Sequence, residues 1–101
     1  MNSSPEPNYD VPISGVIREL LIRLHDIAEA DGQRDEFLSA LRAISARLRA
    51  DPITFGEEVF DLQALHLTVK VRIVLPIAAE FAVYPERGLV FIRTFRYIPR
   101  G

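Results

Sequence analysis

From Leu65 to Ile73 the apolar residues fall at every second position: Leu65, Leu67, Val69, Val71 and Ile73, with His66, Thr68, Lys70 and Arg72 between them. Successive side chains of a strand point to opposite faces, so this period predicts a strand with one apolar and one basic face. Two further strand-like runs follow, Ala79 to Tyr84 and Leu89 to Tyr97, joined by Pro85-Glu86-Arg87-Gly88. Proline presets φ early in that link and glycine can take positive φ at its end, which makes it a tight turn. The three runs predict an antiparallel meander. Val59 to Leu62 either adds a short strand before it or leads into it, and Leu75-Pro76 breaks the alternation with a loop or bulge.

Upstream the period becomes helical. Val16, Ile17, Leu20, Leu21, Leu24, Ile27 and Ala28 form one broad apolar stripe, with Arg18, Glu19, Arg23, Asp26 and Glu29 off it. Ser14 suits the N-cap and Gly32 a left-handed C-terminal residue. A second stripe, Phe37, Leu38, Leu41, Ile44 and Leu48, predicts a helix from Arg34 to Ala50, capped in the region of Asp35 and stopped by Asp51-Pro52. Gly56 marks a tight point in the connection that follows. Tyr9 to Ser14 is a candidate short strand, which Pro12 confines to a sheet edge.

Two antiparallel helices followed by strands predict an α+β fold: a helical hairpin packed on one face of a small antiparallel sheet, in the order β-α-α-β-β-β. On this reading the helix stripes bury Leu67, Val69 and Val71, and the other sheet face carries His66, Lys70 and Arg72. Residues 1–8 are expected to form a flexible tail, and residues 9–101 a single domain.

Composition narrows the chemistry. The 101 residues include no cysteine, which excludes disulfides and thiolate metal sites. No apolar run approaches membrane-spanning length, and the start lacks the regions of a signal peptide, so a cytoplasmic protein without membrane association is expected. The net charge of −2 hides an asymmetry: residues 60–101 hold six basic residues against three acidic ones, a balance of +3, and the remainder sums to −5. A basic sheet beside acidic helices suits a nucleic-acid surface, and equally suits solvated charge.

Lys70 and Arg72 on one face could hold phosphates, or could form the polar outer face of a half-buried strand. His66, on that face, could act as a general base near neutral pH, though it has no readable partner. In the last strand Leu89, Phe91, Arg93, Phe95 and Tyr97 share one parity. If Val90 and Ile92 meet the helices, then Phe91, Arg93, Phe95 and Tyr97 line the opposite face. Aromatics interleaved with arginine can stack bases and hold phosphates, or form a patch that a partner protein buries. His25, at the margin of the first stripe, reads as packing. No His/Asp/Glu spacing suggests a metal site and no nucleophile has a readable base, so neither a metal nor a cofactor is expected.

The order of elements, together with Arg49-Ala50-Asp51-Pro52 and Gly56, Thr68-Val69-Lys70-Val71-Arg72, Pro76 to Tyr84, and Val90-Phe91-Ile92-Arg93, resembles the RelE/ParE family of toxins from toxin–antitoxin systems. The likeness covers roughly Tyr9 to Tyr97. It implies a toxin-like module neutralised by a small antitoxin and acting on translation, as a ribosome-dependent mRNA-cleaving ribonuclease, or on gyrase. In cleaving members, sheet lysines and arginines hold phosphates and stabilise developing charge. The resemblance thus points to Arg72, Arg93 and Tyr97 as catalytic candidates, with Lys70 and Arg96 binding nucleic acid or a partner, and the residue pattern adds His66, Phe91 and Phe95 to that binding set. Where cleaving members often carry an arginine early in the middle strand, this chain reads Ile77-Ala78-Ala79-Glu80. The alternative is a non-enzymatic interaction domain on the same scaffold, binding a peptide or forming a homodimer through its aromatic sheet face.

Overall fold

The computed structural model describes residues 8–100; the flexible tail expected over residues 1–8 lies outside them apart from Asn8. Helix α1 spans Gly15–Ala30 and α2 spans Arg34–Ala50. Ser14 caps α1 as its composition predicts, its Oγ accepting from the Ile17 amide at 3.2 Å. Gly32 takes φ of 72° between the helices, a left-handed geometry that a Cβ would strain. The N-cap of α2 is Gln33 rather than the Asp35 region, and its side chain makes no capping bond. It is occupied elsewhere, as described below. Pro52 cannot continue α2, and opens the single turn α3, Pro52–Phe55.

Four strands follow: β1 Glu57–Leu62, β2 Leu67–Val74, β3 Ile77–Tyr84 and β4 Leu89–Tyr97. They form one antiparallel sheet in sequential order. The expected N-terminal strand is reduced to one parallel bridge between Asp10 and Leu89. Asp10 donates its amide to Gly88 O at 2.8 Å and accepts from Val90 N at 2.9 Å. Pro12 has no amide to extend that ladder, and the chain departs towards Ser14. The residues of the Pro85–Gly88 link form a tight turn with Gly88 at φ 63°. The run beginning at Leu65 starts one residue pair later than its alternation suggests. Gln63–Leu65 is a 3₁₀ turn and His66, at φ 56°, is its left-handed cap, so His66 belongs to the turn and not to a sheet face.

The helices cover one face of the sheet. Ile17, Leu24 and Ala28 of α1 and Phe37, Ala40, Ile44 and Leu48 of α2 pack with Ile77, Ala79, Phe81 and Val83 of β3 and Val90 and Phe95 of β4. Each large side chain buried this way stabilises the fold by roughly 1.5–3 kcal/mol. Strand β3 decides which face this is. Its bulky residues Ile77, Phe81 and Val83 share one parity with Ala79, whereas Ala78, Glu80 and Ala82 share the other.

The register then reverses the reading of β2. Lys70 lies opposite Phe81, Arg72 opposite Ala79 and Val74 opposite Ile77. Cross-strand partners share a face, so Lys70 and Arg72 lie on the helix side. Leu67, Val69, Val71 and Ile73 lie on the side away from the helices. The two long stems are accommodated in different ways. Lys70 is buried, and its Nζ donates to Gly56 O at 3.5 Å. The Arg72 guanidinium sits over the Phe55 ring of α3, 5.4 Å from its centroid.

A bulge reverses part of β4 as well. Thr94 lies opposite Glu80 but Ile92 lies opposite Phe81, which leaves Arg93 as the extra residue. Phe95 and Tyr97, opposite Ala79 and Ile77, therefore face the helices. Phe91, opposite Ala82, faces the other way. The four residues expected along one face are divided two and two.

Candidate functional site

The face away from the helices is built in cross-strand rows. Leu62, Leu67, Tyr84 and Leu89 form one; Phe60, Val69, Ala82 and Phe91 the next; Glu57, Val71, Glu80 and Thr94, with the bulged Arg93, a third. Ile73, Ala78 and Arg96 end the series. Leu67, Val69 and Ala82 are buried within this face, with Tyr84 packed on them. Tyr84 and Phe91 meet edge to face at 5.5 Å between centroids, a favourable aromatic geometry. Antiparallel sheets with one face in water alternate apolar and polar residues cleanly. Here Phe60, Leu62, Ile73 and Phe91 remain 39%, 41%, 54% and 41% exposed on that face. These exposed apolar side chains lie on the face of the sheet that the helices leave uncovered.

One ion pair crosses it. Arg93 Nη1 lies 3.1 Å from Glu80 Oε2, and the guanidinium stands 5.8 Å from the Phe60 ring centroid. The bulge places Arg93 there, and β3 supplies its partner. Glu80 thus neutralises the one catalytic candidate that reaches the open face beside the aromatics.

The remaining candidates are dispersed. Arg72 lies on the helix side over Phe55, which also receives Arg47 at 4.9 Å and stacks on Phe81 at 6.1 Å. Lys70 is held under Gly56. Phe95 is in the core. His66 stands beside Glu86, with Nδ1 3.6 Å from Oε2. Arg96 is exposed on the open face near its end. Tyr97, on the helix side, donates to Asp31 Oδ2 at 2.5 Å and accepts from Gln33 Nε2 at 2.7 Å. This is what occupies the Gln33 side chain. The Tyr97 hydrogen bond, chief among several contacts, lowers the Asp31 pKa. Burial of the phenol, followed by the bond to Asp31, raises that of Tyr97. Arg72, Arg93 and Tyr97 occupy three separate settings.

Two secondary features lie on the helical layer. A largely apolar groove of about 730 Å³ runs between α1 and the end of β4, lined among others by Leu20, Leu24, Ile27, Phe95 and Tyr97. The α1 stripe is broader than the core beneath it, and Ile27, which lines this groove, is exposed. Among the described residues, His25, Asp26 and Glu29 bring donor atoms within 4.8 Å of one another, a grouping the sequence reading did not identify. Both carboxylates are exposed, and the His25 ring packs edge-on against Phe37 at 6.2 Å, in line with its reading as a packing residue.

Sequence reasoning missed Phe60 and Leu62, since Val59 to Leu62 was ambiguous between strand and lead-in, and it placed Val71 on the covered side. The alternation of β2 contained the signal for the patch, assigned to the wrong side of the sheet. Among the described residues no helix is long and apolar enough to cross a membrane. Comparisons with protein-family models, with curated proteins and with solved structures find no match for this chain.

Proposed function

We propose that this chain is a binding module that works through the uncovered face of its sheet, on a scaffold of the toxin-like kind that the sequence resembles. The observation that carries this reading is the row structure of that face: Phe60, Leu62, Ile73 and Phe91 exposed around a buried Leu67–Val69–Ala82 floor. Phosphate chemistry needs several unpaired cations converging on one point. Here Lys70 is sequestered, Arg93 is paired with Glu80, and Arg72 lies on the other side of the sheet.

A second reading is a toxin acting on RNA or gyrase and neutralised by a small antitoxin. The observation in its favour is the Asp10–Leu89 bridge, which sets the segment before the helical pair beside the last strand. Growth under induced expression in a bacterial host separates the two, using wild type, Arg72→Ala and Phe91→Glu, each checked for folding by circular dichroism. Unaffected growth, or arrest relieved by Phe91→Glu but not by Arg72→Ala, supports the binding module. Arrest relieved by Arg72→Ala but not by Phe91→Glu overturns it in favour of a catalytic cationic surface.

A further inference from the structure

We propose that the partner of the open sheet face is a second copy of this chain, packed sheet on sheet about a two-fold axis. This rests on the reading of that face as a binding surface, and it adds the identity of what binds. Three observations favour a copy over another partner.

The first is charge. Four charged residues lie on the face, Glu57 and Glu80 against Arg93 and Arg96, so it is neutral as a whole. A neutral face offers no net attraction to a polyanion such as nucleic acid, or to a strongly charged peptide. It is well matched to itself. In a two-fold interface, residue i of one copy meets residue j of its mate and j meets i. Glu80 and Arg93 stand side by side in the third of the four rows, so each copy offers its mate both members of an opposite-charge pair.

The second is shape. The face consists of alternate residues from four regular strands and is not a cleft for a helix. Two such faces pack about 10 Å apart with their strands nearly aligned, the side chains interdigitating. Phe60 and Phe91 stand on β1 and β4 at the two ends of one row, above Val69 and Ala82.

The third is extent. An eight-residue strand at about 3.3 Å per residue, across four strands about 4.8 Å apart, gives a face of roughly 500 Å² in projection. Corrugation by side chains raises the accessible area above this, towards the roughly 800 Å² per partner of stable interfaces. Docking would place the apolar rows at the centre and leave Glu57 and Arg96 towards the rim, the usual arrangement of such interfaces.

The test is the mass of the full chain by light scattering and sedimentation equilibrium, from micromolar to submillimolar protein. Wild type should sediment at twice the monomer mass of 11.4 kDa. Arg93→Glu and Glu80→Arg, each verified as folded by circular dichroism, should associate more than about tenfold more weakly, because two like-charged faces then meet. Mixed in equal amounts, the two variants carry faces of opposite sign and should dimerise again. General unfolding or a lost internal ion pair would not produce that rescue.

A wild-type dimer that neither these changes nor Phe91→Glu weakens, or a mixture that stays monomeric, overturns the proposal. So does a monomeric wild type at all concentrations. In that last case the fluorescence of anilinonaphthalene sulfonate tells the two failures apart. Dye binding lost in Phe91→Glu keeps the face as a binding surface for a different partner. Dye binding equal in both proteins removes the binding reading too.

Discussion

The hydroxyl of Tyr97 lies 2.5 Å from Oδ2 of Asp31, which ties the last residue of the sheet to the turn between the two helices, 66 residues earlier. Gln33 completes the knot by donating to the same hydroxyl at 2.7 Å. The group that the resemblance marks as a catalytic candidate is thus committed to two partners, and its pKa is raised, away from neutrality.

Tyr97→Phe should lower the urea midpoint without changing the m-value, and the size of the loss should depend on pH. The carboxyl of Asp31 is depressed on folding, chiefly by the Tyr97 hydroxyl, so its contribution is complete above the unfolded value of about 3.9 and is lost as pH falls through the folded one. Tyr97 is raised on folding, so its contribution is complete below about 10 and is lost as pH rises through the folded value. The difference between wild type and variant should therefore be flat from about pH 4 to 10. It should shrink beyond both ends. Denaturation curves across that range check it, and a difference that grows in acid contradicts the assignment.

Gly56→Ala should cost about 1–3 kcal/mol, the usual range for overpacking a well-filled core. The backbone there is extended, so φ is not the obstacle. An added Cβ would lie 2.9 Å from Phe81 Cζ, 3.0 Å from Lys70 Cβ and 3.1 Å from Val71 O. Phe81 is fully buried and cannot yield. Chemical denaturation measures the loss directly.

The helices were legible because a period of 3.6 leaves few alternatives: Arg34–Ala50 has the limits its stripe and Asp51-Pro52 imply. Alternation in β2 was also legible, but it says which residues share a face and not which face the helices take. That choice belongs to β3, where Ile77, Phe81 and Val83 outweigh Ala78 and Ala82, and cross-strand register passes it to Lys70 and Arg72. The division of β4 was not legible. Arg93 is one extra residue without a glycine or proline to mark it, and it moves Phe95 and Tyr97 to the opposite side from Phe91. The candidate site inherited both errors, since it assumed that every basic residue of β2 and every aromatic of β4 faced the same way.

A double-mutant cycle on Glu80→Ala and Arg93→Ala in monomeric protein should give a coupling of about 0.2–1 kcal/mol, the usual range for an exposed pair. Both side chains are partly open to water, at 32% and 47%, which screens their 3.1 Å contact. Arg93→Ala alone should cost more than Glu80→Ala, because it also uncovers the Phe60 ring. The coupling should fall with added salt. A coupling of several kcal/mol at high salt would mean that the pair is desolvated and that the face is already covered under those conditions.

Lys70 offers the sharpest contrast between the two functions a basic strand can serve. As a phosphate ligand it would need a free ammonium group. As found, it is a buried stem beneath Gly56, with its Nζ 3.5 Å from that residue's carbonyl oxygen. Lys70→Met preserves the stem and removes a long hydrogen bond, so stability should change by less than about 1 kcal/mol. Lys70→Glu directs an acceptor at a carbonyl oxygen, opposite Glu58 on β1, and should cost more than about 2 kcal/mol. Urea denaturation of both variants checks the structural part. Retention of labelled RNA on filters at low salt checks the functional part: Lys70→Met should match wild type. A loss of RNA retention in a fully stable Lys70→Met would return Lys70 to the role that its place in the sequence first suggests.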